Sequence, residues 1–199
     1  AKKMGLPIDK LIVATNQNDI LHRAISKGDY TSKKVSETFS PSMDIQIASN
    51  FERLIFEIQG RNSDKTKDIM VKVKENNYKL DDTSLSKIKK DFLSEKLNEE
   101  ETINEIKDVF EKHNIVLDPH TAIGYGAAKK LEQDNNCVIL STAHPSKFPE
   151  AIKNALGKNE ELPKDLRKVL KEEEKFEILE NSLNKVKNYI LNKVNENKN

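Results

Sequence analysis

The side chains that could do chemistry fall in four short stretches. They are Thr15-Asn-Gln-Asn-Asp-Ile-Leu21, Ser40-Pro-Ser-Met-Asp-Ile-Gln46, Asp118-Pro-His-Thr-Ala122 and Ser141-Thr-Ala-His-Pro-Ser-Lys-Phe148. Ser141 and Thr142 follow an apolar run. A hydroxyl there can face the ring nitrogen of a planar heteroaromatic ligand, or bond its own backbone. Ser40 to Asp44 is a turn by composition, and it leads towards a helix start. Such a loop can hold a phosphate or carboxylate, because free N–H groups and the helix dipole favour an anion. An ordinary turn and cap fits the same residues. His120, at the start of a small-residue segment, can act as an acid or base or contact an anion, or simply cap a helix.

Other chemistries lack their residues. Cys137, His113, His120 and His144 show no paired spacing for zinc. Gly124-Tyr-Gly126 is followed by Lys129 where a dinucleotide fingerprint has its third glycine. There is no Walker-type loop and no Gly-x-Ser-x-Gly elbow.

The elements that must position these stretches read as α/β. Residues 10–15 and 137–142 are short apolar runs without polar alternation, as in strands buried on both faces. Each ends in Thr, at the strand end where open α/β sheets gather ligands. Ser49-x-x-Glu52 predicts a capping box ahead of Phe51, Leu54, Ile55 and Ile58. Asp118 and Thr121 predict a cap for a helix bearing Ala122, Gly124, Gly126, Ala127 and Ala128, small enough to pack closely on a sheet or a ligand. Pro149 opens a helix that Gly157 stops. Residues 61–112 are dense in Lys, Asp, Glu and Asn. Leu85, Ile88 and Phe92 form one stripe there, and Ile103, Ile106, Val109 and Phe110 another behind Asn98-x-x-Glu101. The predicted organisation is therefore an α/β portion over 1–60, a helical insertion over 61–112, an α/β portion over 113–157 and a helical segment over 158–199. In the last, Phe176, Leu179, Leu183, Val186 and Ile190 follow a heptad-like spacing that predicts packing on the body of the protein.

The chain has 199 residues, with 34 Lys plus Arg against 33 Asp plus Glu, for a net charge of +1. That balance argues against an electrostatic nucleic-acid binder. No apolar stretch reaches the roughly 20 residues of a membrane span. One cysteine, Cys137, excludes an internal disulfide and fits a reducing, cytoplasmic setting.

Taken in order, Ala14 to Leu21, Ser40 to Gln46, Ser49-Asn-Phe-Glu-Arg-Leu54, Asp118 to Gly124 and Ser141 to Phe148 resemble the C-terminal half of the threonine synthase family. The likeness runs from Met4-Gly-Leu-Pro-Ile8 to the C-terminal helix and is to the branch with a helical insertion. It implies a fold-type-II pyridoxal-phosphate architecture, like the β subunit of tryptophan synthase. That is a three-layer αβα fold with an inserted helical subdomain and C-terminal helices. It implies conversion of O-phosphohomoserine and water to threonine and phosphate. Thr142 carries over as the neutral hydroxyl facing the cofactor ring nitrogen, with Ser141, Thr15 and Asn16 beside it. Ser42, Asp44, His120 and His144 carry over as pocket-lining or loop-holding residues. Ser146 stands where the family usually has Ala.

No lysine here sits in a motif like the family's Schiff-base site. That lysine and the Gly-Asn-Phe-Gly-type phosphate loop are expected upstream of Ala1, where a helix end runs into Gly5 and Pro7. The chain by itself is then expected to be inactive, and its strands over 11–14 and 138–140 are expected to lack neighbours. Two alternatives stand beside the enzyme. One is a non-catalytic or split-protein half that pairs with a separate N-terminal half or binds phosphorylated ligands. The other is a helical interaction module built on 61–112 and 158–199.

Overall fold

A computed structural model describes residues 1–76, 78–131 and 136–196. The chain divides into two units, Ala1–Glu161 and Leu162–Asn199. The first contains, in order, β1 (Leu11–Thr15), α1 (Ile20–Lys27), α2 (Phe51–Ile58), α3 (Ser63–Lys74), α4 (Asp82–Asp91), β2 (Phe92–Lys96), α5 (Glu99–His113), α6 (Pro119–Lys130) and α7 (Pro149–Leu156). The second contains α8 (Lys164–Val169) and α9 (Leu183–Glu196). Within the second unit, α9 carries Leu183, Val186 and Ile190, whereas Phe176 and Leu179 precede it outside any helix. The heptad-like spacing therefore spans two kinds of backbone. No helix among the described residues is long and apolar enough to cross a membrane.

β1 and β2 pair in parallel, Leu11 opposite Phe92 and Thr15 opposite Lys96. Parallel pairing requires a long crossover, and α1 to α4 provide it. Side chains alternate across the strand, and the two faces of β1 meet different helices. Val13 packs on a cluster that includes Ile20 and Ala24 of α1, Ile88 of α4 and, partly buried, Phe92. Ile12 and Ala14 pack on Leu97 and on Ile123 and Ala127 of α6. The result is an α/β fold with helices on both faces of its sheet.

Three expectations need correction. Phe92 reads as the third member of a helical stripe, but α4 ends at Asp91 and Phe92 opens β2. The segment 61–112 is thus not wholly helical. Helical and strand periods coincide over one turn, and pairing with β1 decides between them. The box predicted from Ser49 and Glu52 does not form. Asn50 is already helical at φ −76°, and the Phe51 N–H donates to the Ala48 carbonyl at 3.0 Å, so a backbone turn replaces the side-chain cap. Residues 137–142 form no strand. Ile139 alone turns inward, close to Gly124 of α6, while Val138 and Leu140 are 87% and 77% exposed. Among the described residues the sheet has only β1 and β2, and this segment pairs with neither of their outer edges.

Other signals read directly. Asn98 and Glu101 make the reciprocal capping box of α5. Pro149 opens α7, and Gly157 ends it at φ 69°. The small residues of α6 serve close packing on protein. A Cβ at Gly126 would lie 2.5 Å from Leu97 Cδ2 and 3.0 Å from Glu105 Cγ. Leu97 is fully buried and has little room to yield. Gly126→Ala gains about 1 kcal/mol of helix propensity and costs about 1–3 kcal/mol by overpacking. A net destabilisation of about 1 kcal/mol is expected in urea titration. A stabilised variant would show that the α6 contact has slack.

Candidate functional site

The four chemistry-bearing stretches lie at the C-terminal end of β1 and on the loops around the start of α6. Thr15 closes β1, and its carbonyl accepts the Leu97 N–H at 3.0 Å. Its side chain is buried, yet Thr15 Oγ1 makes no hydrogen bond. A buried hydroxyl without a partner is uncommon and needs a reason.

Asn16 follows, only 1% exposed. Its Nδ2 donates to Thr38 Oγ1 at 2.9 Å, Ser40 Oγ at 3.0 Å and Asp44 Oδ1 at 2.7 Å. Asn18 adds a second strap: its Nδ2 donates to Asp44 Oδ1 and to the Ser36 carbonyl, both at 2.8 Å. It also accepts the Ser36 N–H at 2.9 Å. Asp44 takes the Thr38 hydroxyl at 2.7 Å and the Thr38 N–H at 2.9 Å. Residues 36–44 hold no strand and no α-helix, only a short 3-10 turn at Pro41–Met43. These polar side chains therefore do the ordering that a ladder would do elsewhere. Glu99, at the start of α5, accepts the Phe39 N–H at 3.0 Å. Burial raises its carboxyl above the ordinary value; the Phe39 bond opposes that, and the nearby Asp44 charge adds to it.

The second half of the site is built on α6. Asp118 is its cap, accepting the N–H groups of His120 at 3.0 Å and Thr121 at 3.4 Å. His120 Nε2 accepts the Ser42 N–H at 3.3 Å. The ring proton is then on Nδ1, which donates to Asp118 Oδ1 at 3.1 Å. The ring lies against Phe148, with centroids 4.9 Å apart. The Thr121 hydroxyl donates to Asp118 Oδ2 and accepts the Thr142 N–H at 3.1 Å. Burial would push the Asp118 carboxyl up. Hydrogen bonds from the His120 and Thr121 side chains and backbones outweigh it and hold the carboxyl below the usual range.

The structure thus links Asn16, Asp44, Ser42, His120 and Thr142 by hydrogen bonds and short chain segments. Ser141 and His144 flank Thr142 on its loop. His144 Nδ1 accepts the Ser146 N–H at 3.2 Å and the Ser146 hydroxyl at 2.7 Å, which puts the ring proton on Nε2. The eight residues divide by what they have left to offer. Asn16, Asp44 and His120 spend their polar atoms on protein. Among the described residues, the hydroxyls of Ser42, Ser141 and Thr142 and the Nε2–H of His144 have no protein partner and lie on accessible loops where they can meet a ligand, whereas the unpartnered Thr15 hydroxyl is enclosed. No group of three or more His, Cys, Asp or Glu side chains among the described residues is arranged to hold a metal.

Sequence reading passed over Asn18, Thr38 and Thr121 as site residues and took Asp118 only as a cap. Asn18 lies inside the first motif, two residues from Asn16, and that spacing was a usable signal. Nothing local marks Thr38, which depends on Asp44 folding back onto it.

Residues 121–190 match the family model described as threonine synthase, C-terminal. The threonine synthase of Pseudomonas aeruginosa is 40% identical over 194 residues, covering 96% of this chain and 41% of that protein. That of Saccharomyces cerevisiae is 41% identical over 208 residues, covering 90% and 40%. A solved structure of pyridoxal-phosphate-bound threonine synthase from Brucella melitensis superposes with a TM-score of 0.82 at 42% identity, over 96% of this chain and 41% of that one. The chain spans about two-fifths of the length of the curated relatives it matches.

Proposed function

The chain belongs to the threonine synthase family and matches the C-terminal part of its members, and from that premise we propose that it serves the conversion of O-phosphohomoserine and water to threonine and phosphate, with pyridoxal phosphate as cofactor. The observation that carries this reading is the division of polar groups in the site. Thr15 Oγ1 is buried and unpartnered, and free hydroxyls sit on loops whose backbones are tied down. Such a set fits a polar, planar ligand better than it fits water alone. Bound pyridoxal phosphate would supply the electron sink for the carbon chemistry.

In this reading the Thr142 hydroxyl would meet the ring nitrogen of the cofactor, Ser141 and Thr15 would help to hold it, and Asn16 would fix the loop beside it. A neutral hydroxyl does not hold that nitrogen protonated, as a carboxylate would, and so it tempers the sink. The Ser42 hydroxyl and the His144 Nε2–H donate to the anionic groups of the substrate. Asp44 and His120 hold their loops and leave the ligand to their neighbours. The Schiff-base lysine and the phosphate loop are assigned to the N-terminal part that the relatives carry. This chain then works together with that part. The exposed apolar side chains of Val138 and Leu140 support a seat beside it. The lone, exposed Cys137 fits a reducing cytoplasm.

The test is a chimera in which this chain replaces the matching part of the Pseudomonas aeruginosa enzyme. Phosphate release from O-phosphohomoserine, with threonine formed in equal amount, is the expected result. A chimera that folds and takes up pyridoxal phosphate, yet releases no phosphate, would overturn the proposal.

A further inference from the structure

Both loops of the site are fastened to a single carboxylate. Asp118 has no exposed side-chain surface. As a carboxylate it can only accept hydrogen bonds. The Thr121 hydroxyl has one proton and gives it to Asp118 Oδ2, so towards Thr142 it has only lone pairs to offer. The neutral His120 ring also has one proton and gives it from Nδ1 to Asp118 Oδ1, so Nε2 is left as an acceptor for the Ser42 N–H. Without the carboxylate, the hydroxyl proton could turn and the imidazole tautomer could switch. Each acceptor would then present a proton to a backbone N–H.

The geometry points to Asp118 as a positioning residue that joins the two loops, fixing the Ser42 N–H through His120 and the Thr142 N–H through Thr121. The roles of those two loops rest on the threonine synthase reading above.

The two arms can be cut separately. Amide hydrogen exchange followed by NMR on the 199-residue chain reads them directly. Thr121→Val keeps the side-chain shape and removes the acceptor. Exchange at Thr142 is expected to speed up by about tenfold, with Ser42 unchanged. Thr121→Ser restores protection. His120→Phe keeps a ring against Phe148 and is expected to release Ser42 and leave Thr142 protected. Asp118→Ala releases both; should it fail to fold, the two single-arm variants still decide. Unchanged exchange at Thr142 in Thr121→Val, or joint release of both amides by either single-arm variant, would overturn the assignment. In the chimera, Thr121→Val is expected to shift the cofactor absorbance with KM for O-phosphohomoserine retained, whereas His120→Phe raises KM about tenfold with the absorbance retained. An unsubstituted chimera without activity would sink the proposed function and leave the exchange result standing.

Discussion

Truncating Arg23 to Ala is expected to destabilise the chain by about 3 kcal/mol at neutral pH, because it removes a buried guanidinium that two carboxylates share, Asp19 and the more exposed Asp29. Arg23 Nε donates to Asp19 Oδ1 at 2.9 Å, Nη1 to Asp29 Oδ2 at 2.5 Å and Nη2 to the Thr31 carbonyl at 2.7 Å. Asp19 also accepts from Lys96 at 2.7 Å, tying the start of α1 to the end of β2. Burial alone would raise the Asp19 carboxyl. Hydrogen bonds from Lys96 and Arg23, with the charges of Lys96 and Lys33, outweigh it and bring it from 3.8 to about 2. The folded value lies below the unfolded one. The contribution of Asp19 is therefore complete above 3.8 and is lost as pH falls from there through about 2. Asp29 is lowered too, its own burial being outweighed by bonds from Thr31 and Arg23. In Arg23→Ala both carboxyls move back up, so less stability remains for acid to remove. Urea titrations should show a wide gap between wild type and variant near neutrality, narrowing as pH falls from 3.8 towards about 2. A constant gap would mean that Arg23 acts through packing and not through these charges.

The second large effect concerns chemistry. In the chimera, Thr142→Val is expected to lower kcat for phosphate release on the order of 100-fold, the usual scale for one preorganised polar contact to a reacting system. The loop itself should survive. Its anchor is the Thr142 N–H on Thr121 Oγ1, which valine retains. On the proposed function, Thr142→Ser should recover most of the rate, because serine keeps a neutral hydroxyl. Full activity in Thr142→Val would remove Thr142 from the ring nitrogen and reopen the choice among Ser141, Thr15 and Ser42.

The motif residues were legible because each is chemically distinctive and sits at an element boundary. Asp118, Asn98, Pro149 and Gly157 cap or stop helices through bonds within a few residues, and such local bonds leave a mark in sequence. Strand assignments fared differently at the two apolar runs. Leu11–Thr15 is a strand because β2 lies beside it, and residues 137–142, of similar composition, are not, because no described strand does. Strand identity is a property of the pair, so composition alone could not separate the two.

By itself, then, the sequence determined the family, the α/β character, the helix ends and the residues that carry usable polar groups. Only the tertiary structure decided that Phe92–Lys96 is the partner of β1. Only it divided the site into side chains spent on protein, such as Asn16, Asp44 and His120, and hydroxyls left free, such as Thr15 and Thr142. The physical reason is the same in both cases. A hydrogen bond between residues 28 or 78 positions apart, as from Asn16 to Asp44 or from Ser42 to His120, depends on where the chain returns, and no local pattern encodes that return.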